Sequence, residues 1–463
     1  MFSLIVVLFI LGLTAITLEH RLSVDKAAIA LTTGALIWIC IAFGGDTIDT
    51  ALPAFQEYLQ THPDGTMMDF VTRYELVRHL GSIGGLVFFL LGTMTIVEII
   101  DSYGGFSILS KVIKTTDKVK LLWTLSFLTF LLSAILNNLA TTIMMIALLW
   151  KLVGGKTTRW IFASMIVIAA NAGGAWSPIG NISTSMLWIG GQVSTWSIIL
   201  QLFVPSLLCM LVPLVIVSLT MKGEALSPSR IDSLPLQVPM TNRERWIVLL
   251  SGIGGLLLVP VFRSVTNLPP YIGVLLALGI LWIITEILHR KKQQEIKMRL
   301  TFAGILKKID MSTIFFFVGI LLAVAGLESA GHLNIAGQFL NEKVHSIYAI
   351  NLLVGALSSV VNNVPLVAGT MGMYDVVSTD MLVAISDPSK AAYLKYFVSD
   401  GSFWELLAYC AGTGGNILII GSAAGIAAMG LTKIDFKWYL KNISLLALAG
   451  YLSGIAAYYL IVG

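Results

Sequence analysis

The stretch LLWTLSFLTFLLSAILNNLATTIMMIALLW, Leu121–Trp150, decides the fold by whether it crosses a membrane or turns back inside one. Its middle carries the doublet Asn137-Asn138. Lys111, Lys114, Lys118 and Lys120 stand before or at its start, and Lys151, Lys156 and Arg159 follow it. Basic residues collect on the cytoplasmic side of membrane proteins. A plain crossing would strand one cluster outside. The stretch therefore reads as a re-entrant hairpin that enters and leaves on the cytoplasmic face.

Composition supports a membrane setting. Only 12% of the 463 residues are charged, against about 25% in an ordinary soluble domain. Hydrophobic residues make up 57%. That excludes a disordered chain, a collagen-like fibre and a nucleic-acid binder. A soluble enzyme of this length would need more polar surface. Cys40, Cys209 and Cys410 lie far apart in apolar runs, which predicts neither a disulfide framework nor a zinc site. No cofactor is expected.

A crossing helix needs about 20 mostly apolar residues. Ten runs qualify: 3–18, 24–44, 81–101, 160–188, 196–220, 246–262, 268–288, 312–330, 402–430 and 442–462. The first lacks a basic start and an obvious cleavage site, so it reads as a retained helix rather than a signal peptide. A second hairpin, 347–374, is predicted to enter from the outer face. The competing reading makes both hairpin stretches ordinary crossing helices. With the connection holding Arg21 and Lys26 placed in the cytoplasm, 23 of the 29 basic residues fall on that side. They occupy segments 19–26, 102–120, 151–159, 221–245, 289–310 and 431–441. The other side receives Asp46, Asp49, Glu57, Asp64, Asp69 and Glu75, then Asp375, Asp380 and Asp387. The predicted location is a bacterial-type inner membrane, with both long basic loops cytoplasmic.

An internal repeat follows. Phe88-Phe89-Leu90-Leu91-Gly92 matches Phe315-Phe316-Phe317-Val318-Gly319. Asp101-Ser102 and Gly104 match Glu328-Ser329 and Gly331, and Asn137-Asn138 matches Asn362-Asn363. The offset is 227 residues at the glycines and 225 at the asparagines. The predicted fold is an all-α polytopic membrane protein of two inverted-topology repeats. Each repeat has five transmembrane helices, one re-entrant hairpin and one broken helix. The first repeat is 1–222 (hairpin about 121–150), the cytoplasmic linker 223–245, and the second repeat 246–463 (hairpin about 347–374). Inverted repeats with helices broken at the midplane mark secondary transporters.

The candidate site residues sit where the chain must turn at membrane depth. Asparagine suits such a turn, because it caps the next helix and tolerates unusual backbone angles. Pure capping is one reading of Asn137, Asn138, Asn362 and Asn363. The other is ion coordination by side-chain and freed backbone oxygens. Two predicted helix breaks add oxygens: Asn171 through Asn181 with Ser177 and then Thr184, and Gly412 through Asn416 with Thr413 and then Ser422. Thr141 follows the first doublet. Small residues also serve plain helix packing. Even so, each glycine cluster follows a hairpin and carries polar oxygens. One hairpin tip and one break from each half are predicted to enclose a polar pocket.

Carboxylates inside a membrane are costly and are functional suspects. Glu98, Asp101, Glu328 and Glu405 are the proton-carrying candidates; capping or snorkelling is the competing role for Asp101 and Glu328. The six histidines, His79 among them, are assigned to loops and helix ends and given no role.

At these residues the chain resembles the NhaD-type sodium/proton antiporters of the ion transporter superfamily. The resemblance covers nearly the whole chain. It is closest in Phe88–Asp101, Asn137–Ile146, Val167–Gly191, Asn362–Tyr374 and Phe403–Gly430. It implies an inverted-repeat fold with two hairpins, usually as a homodimer, in contact with membrane lipid. It also implies exchange of sodium, and often lithium, for protons. Asn138, Asn363, Asn171, Ser177, Thr184, Ser422, Glu98, Asp101 and Glu405 fit the family pattern. Asn137, Asn362 and Asn181 stand where the resemblance implies aspartate. An asparagine oxygen can hold sodium but cannot titrate, and it leaves the cation's charge uncompensated in low dielectric. The expectation is a retained fold and cavity with weakened proton coupling.

The main alternative is a dicarboxylate or oxyanion carrier of the same superfamily, coupled to sodium or protons. Such carriers bind anions at helix N-termini. A channel fits the repeat less well. Catalysis is disfavoured: HExxH is absent and Ser422 has no intramembrane histidine partner.

Overall fold

The computed structural model describes residues 2–17, 19–43, 53–108, 115, 117–221, 240–290, 300–344 and 346–462. Lys111, Lys114, Asp46, Asp49, most of the predicted linker 223–245 and much of the basic segment 289–310 lie outside the described residues. No β-strand occurs among those described. The helices are α1 (Phe2–Thr17), α2 (Lys26–Phe43), α3 (Pro53–Thr61), α4 (Leu76–Ser102), α5 (Lys118–Leu136), α6 (Asn138–Leu152) and α7 (Lys156–Ala175). Next come α8 (Ile182–Ile189), α9 (Thr195–Thr220), α10 (Asn242–Thr266), α11 (Pro270–His289), α12 (Met311–Ser329) and α13 (His332–Val344). The last are α14 (Ile347–Ser358), α15 (Asn363–Met373), α16 (Ser402–Gly414), α17 (Ala423–Thr432), α18 (Phe436–Asn442) and α19 (Ser444–Val462).

Among the described residues, eight helices are long and apolar enough to cross a bilayer. Seven coincide with predicted runs. The eighth, α5, is the first arm of the Leu121–Trp150 stretch and is long enough to span by itself. The run 3–18 forms the shorter α1. The runs 160–188 and 402–430 are broken, as α7/α8 and α16/α17. Large apolar side chains lie exposed along whole helices, such as Leu250, Leu257, Leu258 and Val261 on α10 and Leu276, Ile280, Ile283 and Ile287 on α11. In water such surface would be an aggregation liability; hydrocarbon solvates it. The chain is a polytopic all-helical membrane protein.

The chain forms two compact units, each drawn from both halves of the sequence. Unit 1 comprises Met1–Leu90, Asp310–Ile350 and Val364–Val376. Its centre is the pairing of α2 with α12. Lipid tails are as apolar as leucine, so membrane helices associate by close packing of small residues. A β-carbon on Gly34 would lie 2.7 Å from the Gly319 carbonyl, and one on Gly319 would strike the Ala30–Leu31 backbone. The Trp38 indole donates to the Leu322 carbonyl across this contact (2.9 Å). At the helix starts, Asp25 accepts from the Ala27 N–H and the Ser312 hydroxyl, and these bonds hold its carboxyl below the usual range. A π-helical turn, Phe70–Glu75, leads into α4.

Unit 2 comprises Leu91–Ile309, Asn351–Asn363 and Val377–Gly463. In it α5 stops at Leu136 and α6 starts at Asn138. The residue between them, Asn137, has φ +68°. Left-handed backbone is costly for a residue with a β-carbon, about 1–3 kcal/mol at the unusual ψ seen here. The Asn137 side chain offsets part of this by accepting from the Ala140 N–H (2.9 Å). Helix α6 packs on both α5 and α7.

The same contacts occur twice in unit 2. Ser133 Oγ donates to the Ala170 carbonyl (2.5 Å), and Ser358 Oγ to the Ala411 carbonyl (2.9 Å). Gly173 lies against the Phe130 backbone and Gly414 against the Gly355 backbone. A β-carbon on Gly180 would sit 2.6 Å from the Ser133 carbonyl; one on Gly421 would sit 2.6 Å from those of Ser358 and Ser359. The offset is 225 residues on the hairpin side and 241 on the broken-helix side. Only glycine permits this approach of backbones.

Candidate functional site

The breaks and the asparagine doublets meet in unit 2. Asn171, on the last turns of α7, is fully buried. Its side-chain oxygen accepts from Asn138 Nδ2 (2.8 Å). Its Nδ2 donates to Asn416 Oδ1 (2.8 Å) and to Ser422 Oγ (2.9 Å). Hence one amide joins the first hairpin doublet to the break in the second half. Tyr439, from α18, donates its hydroxyl to the Asn416 carbonyl (2.8 Å). The Asn138 N–H donates to the Gly180 carbonyl (3.0 Å), which ties the doublet to the first break as well.

A second, smaller network lies beside it. Asn363 Nδ2 donates to Asn181 Oδ1 and to Ser183 Oγ, both at 3.3 Å. Gly412 of the second break lies beside the second network: a β-carbon there would sit 3.1 Å from Asn181 Nδ2 and 3.3 Å from the Ala175 side chain.

The predicted residues thus fall into groups. Asn138, Asn171, Asn416 and Ser422 form the first network, and Asn181 and Asn363 the second. Asn137 caps α6, and Asn362 immediately precedes α15. Ser177 donates to the Ala134 carbonyl (2.5 Å) and Thr413 to the Tyr409 carbonyl of its own helix (2.7 Å). The buried hydroxyls of Thr141 and Thr184, and the Nδ2 groups of Asn181 and Asn416, meet no hydrogen-bond partner among the described residues. A cation or water would engage the two hydroxyl oxygens, whereas the Nδ2 groups are donors that suit water or an anion. Ser183 lies in the predicted first break, whereas nothing in the sequence points to Tyr439, since only the folded chain shows which of many hydroxyls reach the break.

The four candidate acids go elsewhere. Glu98 pairs with Lys308 (3.4 Å) and accepts from Ser102 (3.0 Å), and Asp101 is exposed. Glu328 faces Arg78 (3.8 Å). Glu405 accepts from Ser197 and from Tyr458 (2.6 Å). None bonds to the asparagines among the described residues. Every polar group in the two networks is neutral. Among the described residues, no three His, Cys, Asp or Glu side chains converge on a metal.

Comparison with known proteins shows what the chain is similar to. A sequence model of the citrate transporter family matches residues 4–393. "Sodium/proton antiporter 1" of Arabidopsis thaliana is 40% identical over 97% of this chain and 71% of its own length. "Sodium/proton antiporter 2" of the same plant is 37% identical over 97% of each chain. "Na(+)/H(+) antiporter NhaD" of Vibrio cholerae is 30% identical over 98% of this chain and 90% of its own. The chain belongs to the NhaD-type antiporter family. As a member of this NhaD-type family it is a transporter and not an enzyme.

Proposed function

We propose that the protein exchanges sodium, and lithium with it, for protons, through a site made of the two asparagine networks. The observation that carries this reading is Asn171, whose single buried amide links Asn138 to Asn416 and Ser422. A small cation needs several oxygens at once. Here side-chain carbonyls, hydroxyls and the carbonyl ends of α5, α7, α14 and α16 belong to one contiguous region of unit 2. The relatives named as sodium/proton antiporters support the choice of ions.

The recurring contacts support two repeats of inverted topology, with 121–150 and 347–374 as re-entrant hairpins. Ser133 lies level with Ala170, and Phe130 with Gly173. If α5 continued straight, position 138 would pass below Ala170, away from Asn171. Instead Asn138 bonds to Asn171, as a chain that has turned back would. Assembly as a homodimer, with the basic loops in the cytoplasm, completes the reading.

Neutral donors also set its limits. Without a titratable group in either network, sodium and protons do not compete for one charge, so coupling is weakened. The test is sodium-driven pH change in everted vesicles, with and without Asn→Asp at positions 137, 181 and 362. Sluggish exchange that the aspartates accelerate is expected; strong exchange by the unaltered chain overturns weakened coupling. No sodium response in any form overturns the exchange reading.

A second reading has support in the citrate transporter family match. Helices α6, α8, α15 and α17 begin at the networks, and helix N-termini favour anions. Citrate uptake into liposomes that exceeds sodium exchange would select this carrier.

A further inference from the structure

Unit 1 contains a charged cluster that neither network uses. Glu75 closes the π-helical turn and is only 3% exposed. Its Oε2 receives three donors: Arg78 Nη2 (3.0 Å), His79 Nε2 (3.2 Å) and Ser329 Oγ (3.1 Å). Its Oε1 is buried and meets no partner among the described residues. His79 Nε2 also lies 3.1 Å from Ser329 Oγ. Arg78 reaches on to Glu328 (3.8 Å), and Glu328 also feels the charges of His79, Glu75 and Asp375. The Trp38 ring of α2 meets His79 edge-on, with centroids 6.2 Å apart. π-Turns inside α-helices concentrate at functional sites. This one ends at Glu75, four residues before His79.

We infer that Glu75, His79 and Glu328 together form a proton-holding site, in the unit that does not contain the asparagine networks. The charge count is decisive. Glu75 and Glu328 bring two negative charges and Arg78 one positive charge. With a neutral imidazole the cluster carries a net negative charge next to a buried carboxylate. One proton held among Glu75, His79 and Glu328 balances that charge. Asp375, exposed on the segment after α15, adds a further negative charge that acts on Glu328. Groups this close share their protons, so the bound proton belongs to the cluster. His79 keeps 11% of its side chain accessible. The site stands on this geometry alone. Its consequence for transport rests on the exchange reading: it supplies the titratable step that the asparagines lack.

A protonated imidazole quenches a neighbouring indole, so Trp38 reports on His79. The experiment follows tryptophan emission of the full chain in phosphatidylcholine–phosphatidylglycerol liposomes from pH 5 to 9. Subtracting the Trp38→Phe signal isolates Trp38. Emission is expected to fall through one transition on acidification, and His79→Gln is expected to abolish it. Glu75→Gln removes the carboxylate that stabilises the imidazolium and should move the midpoint down by about one pH unit or more. Glu328→Gln should move it in the same direction by less, and serves if Glu75→Gln fails to fold. A transition that survives His79→Gln, or a midpoint unmoved by both carboxylate variants, overturns the proposal. Sodium–proton exchange assayed in the same liposomes should shift its pH midpoint in parallel. If the unaltered chain shows no exchange, the exchange reading fails, while the fluorescence transition still decides the proton site.

Discussion

The two networks of unit 2 share a scaffold and differ in what fills it. Serine-to-carbonyl bonds and glycine contacts recur at matched offsets, yet the first network has four bonded side chains and the second has three at longer range. The same offset of 241 that pairs Gly180 with Gly421 pairs Asn171 with Gly412, and Ala175 with Asn416. The first network has Asn171 where the second has glycine. Asn416 from the second half fills the place where the first half offers alanine. Backbone contacts demand glycine at both positions and resist divergence. The polar filling obeys no such constraint, so it can be concentrated on one side.

The largest test removes scaffold glycines from each side. Gly180→Ala and Gly421→Ala should each cost about 3 kcal/mol or more, because a methyl meets backbone that cannot yield. Thermal unfolding in detergent should show equal losses, and a large inequality would break the equivalence. Next is the filling. Asn171→Ala strands three buried partners and should cost about 2–4 kcal/mol, with sodium transport down at least about tenfold. Asn363→Ala should cost about 1 kcal/mol and slow isotopic sodium uptake less. Equal effects at 171 and 363 would erase the asymmetry. Asn137→Ala removes a helix cap and should cost about 1 kcal/mol. Of similar size, Ser133→Ala and Ser358→Ala should each cost about 1 kcal/mol, matching within about 0.5 kcal/mol.

Much of this was legible in the sequence. Apolar runs gave the crossing helices, and glycine clusters marked both breaks. Asparagine doublets marked where helices would start. What stayed hidden was pairing over distance: Asn171 with Asn416, and Ser183 with Asn363, depend on how separate segments pack. Sequence position alone puts the histidines in loops and at helix ends, whereas His79 lies inside α4 and is nearly buried against Glu75. Glu75 and His79 stand four residues apart, a spacing that puts both on one helix face, but only the fold brings Ser329 and Arg78 to the same carboxylate. Asn137 illustrates an intermediate case, since its capping role was one of two readings and the backbone shows that bond formed.

The bond between Asn171 and Asn416 spans 245 residues of chain. At a synthesis rate of about 5–20 residues per second, Asn416 emerges on the order of ten to fifty seconds after Asn171. During that interval the Asn171 Nδ2, destined for the buried interior, lacks both of its final partners, Asn416 and Ser422. The nascent first half must shelter it with water, lipid headgroups or an insertion factor. A chain truncated after α9 would keep that exposed amide permanently, which gives cellular quality control a polar mark by which to know an unfinished protein.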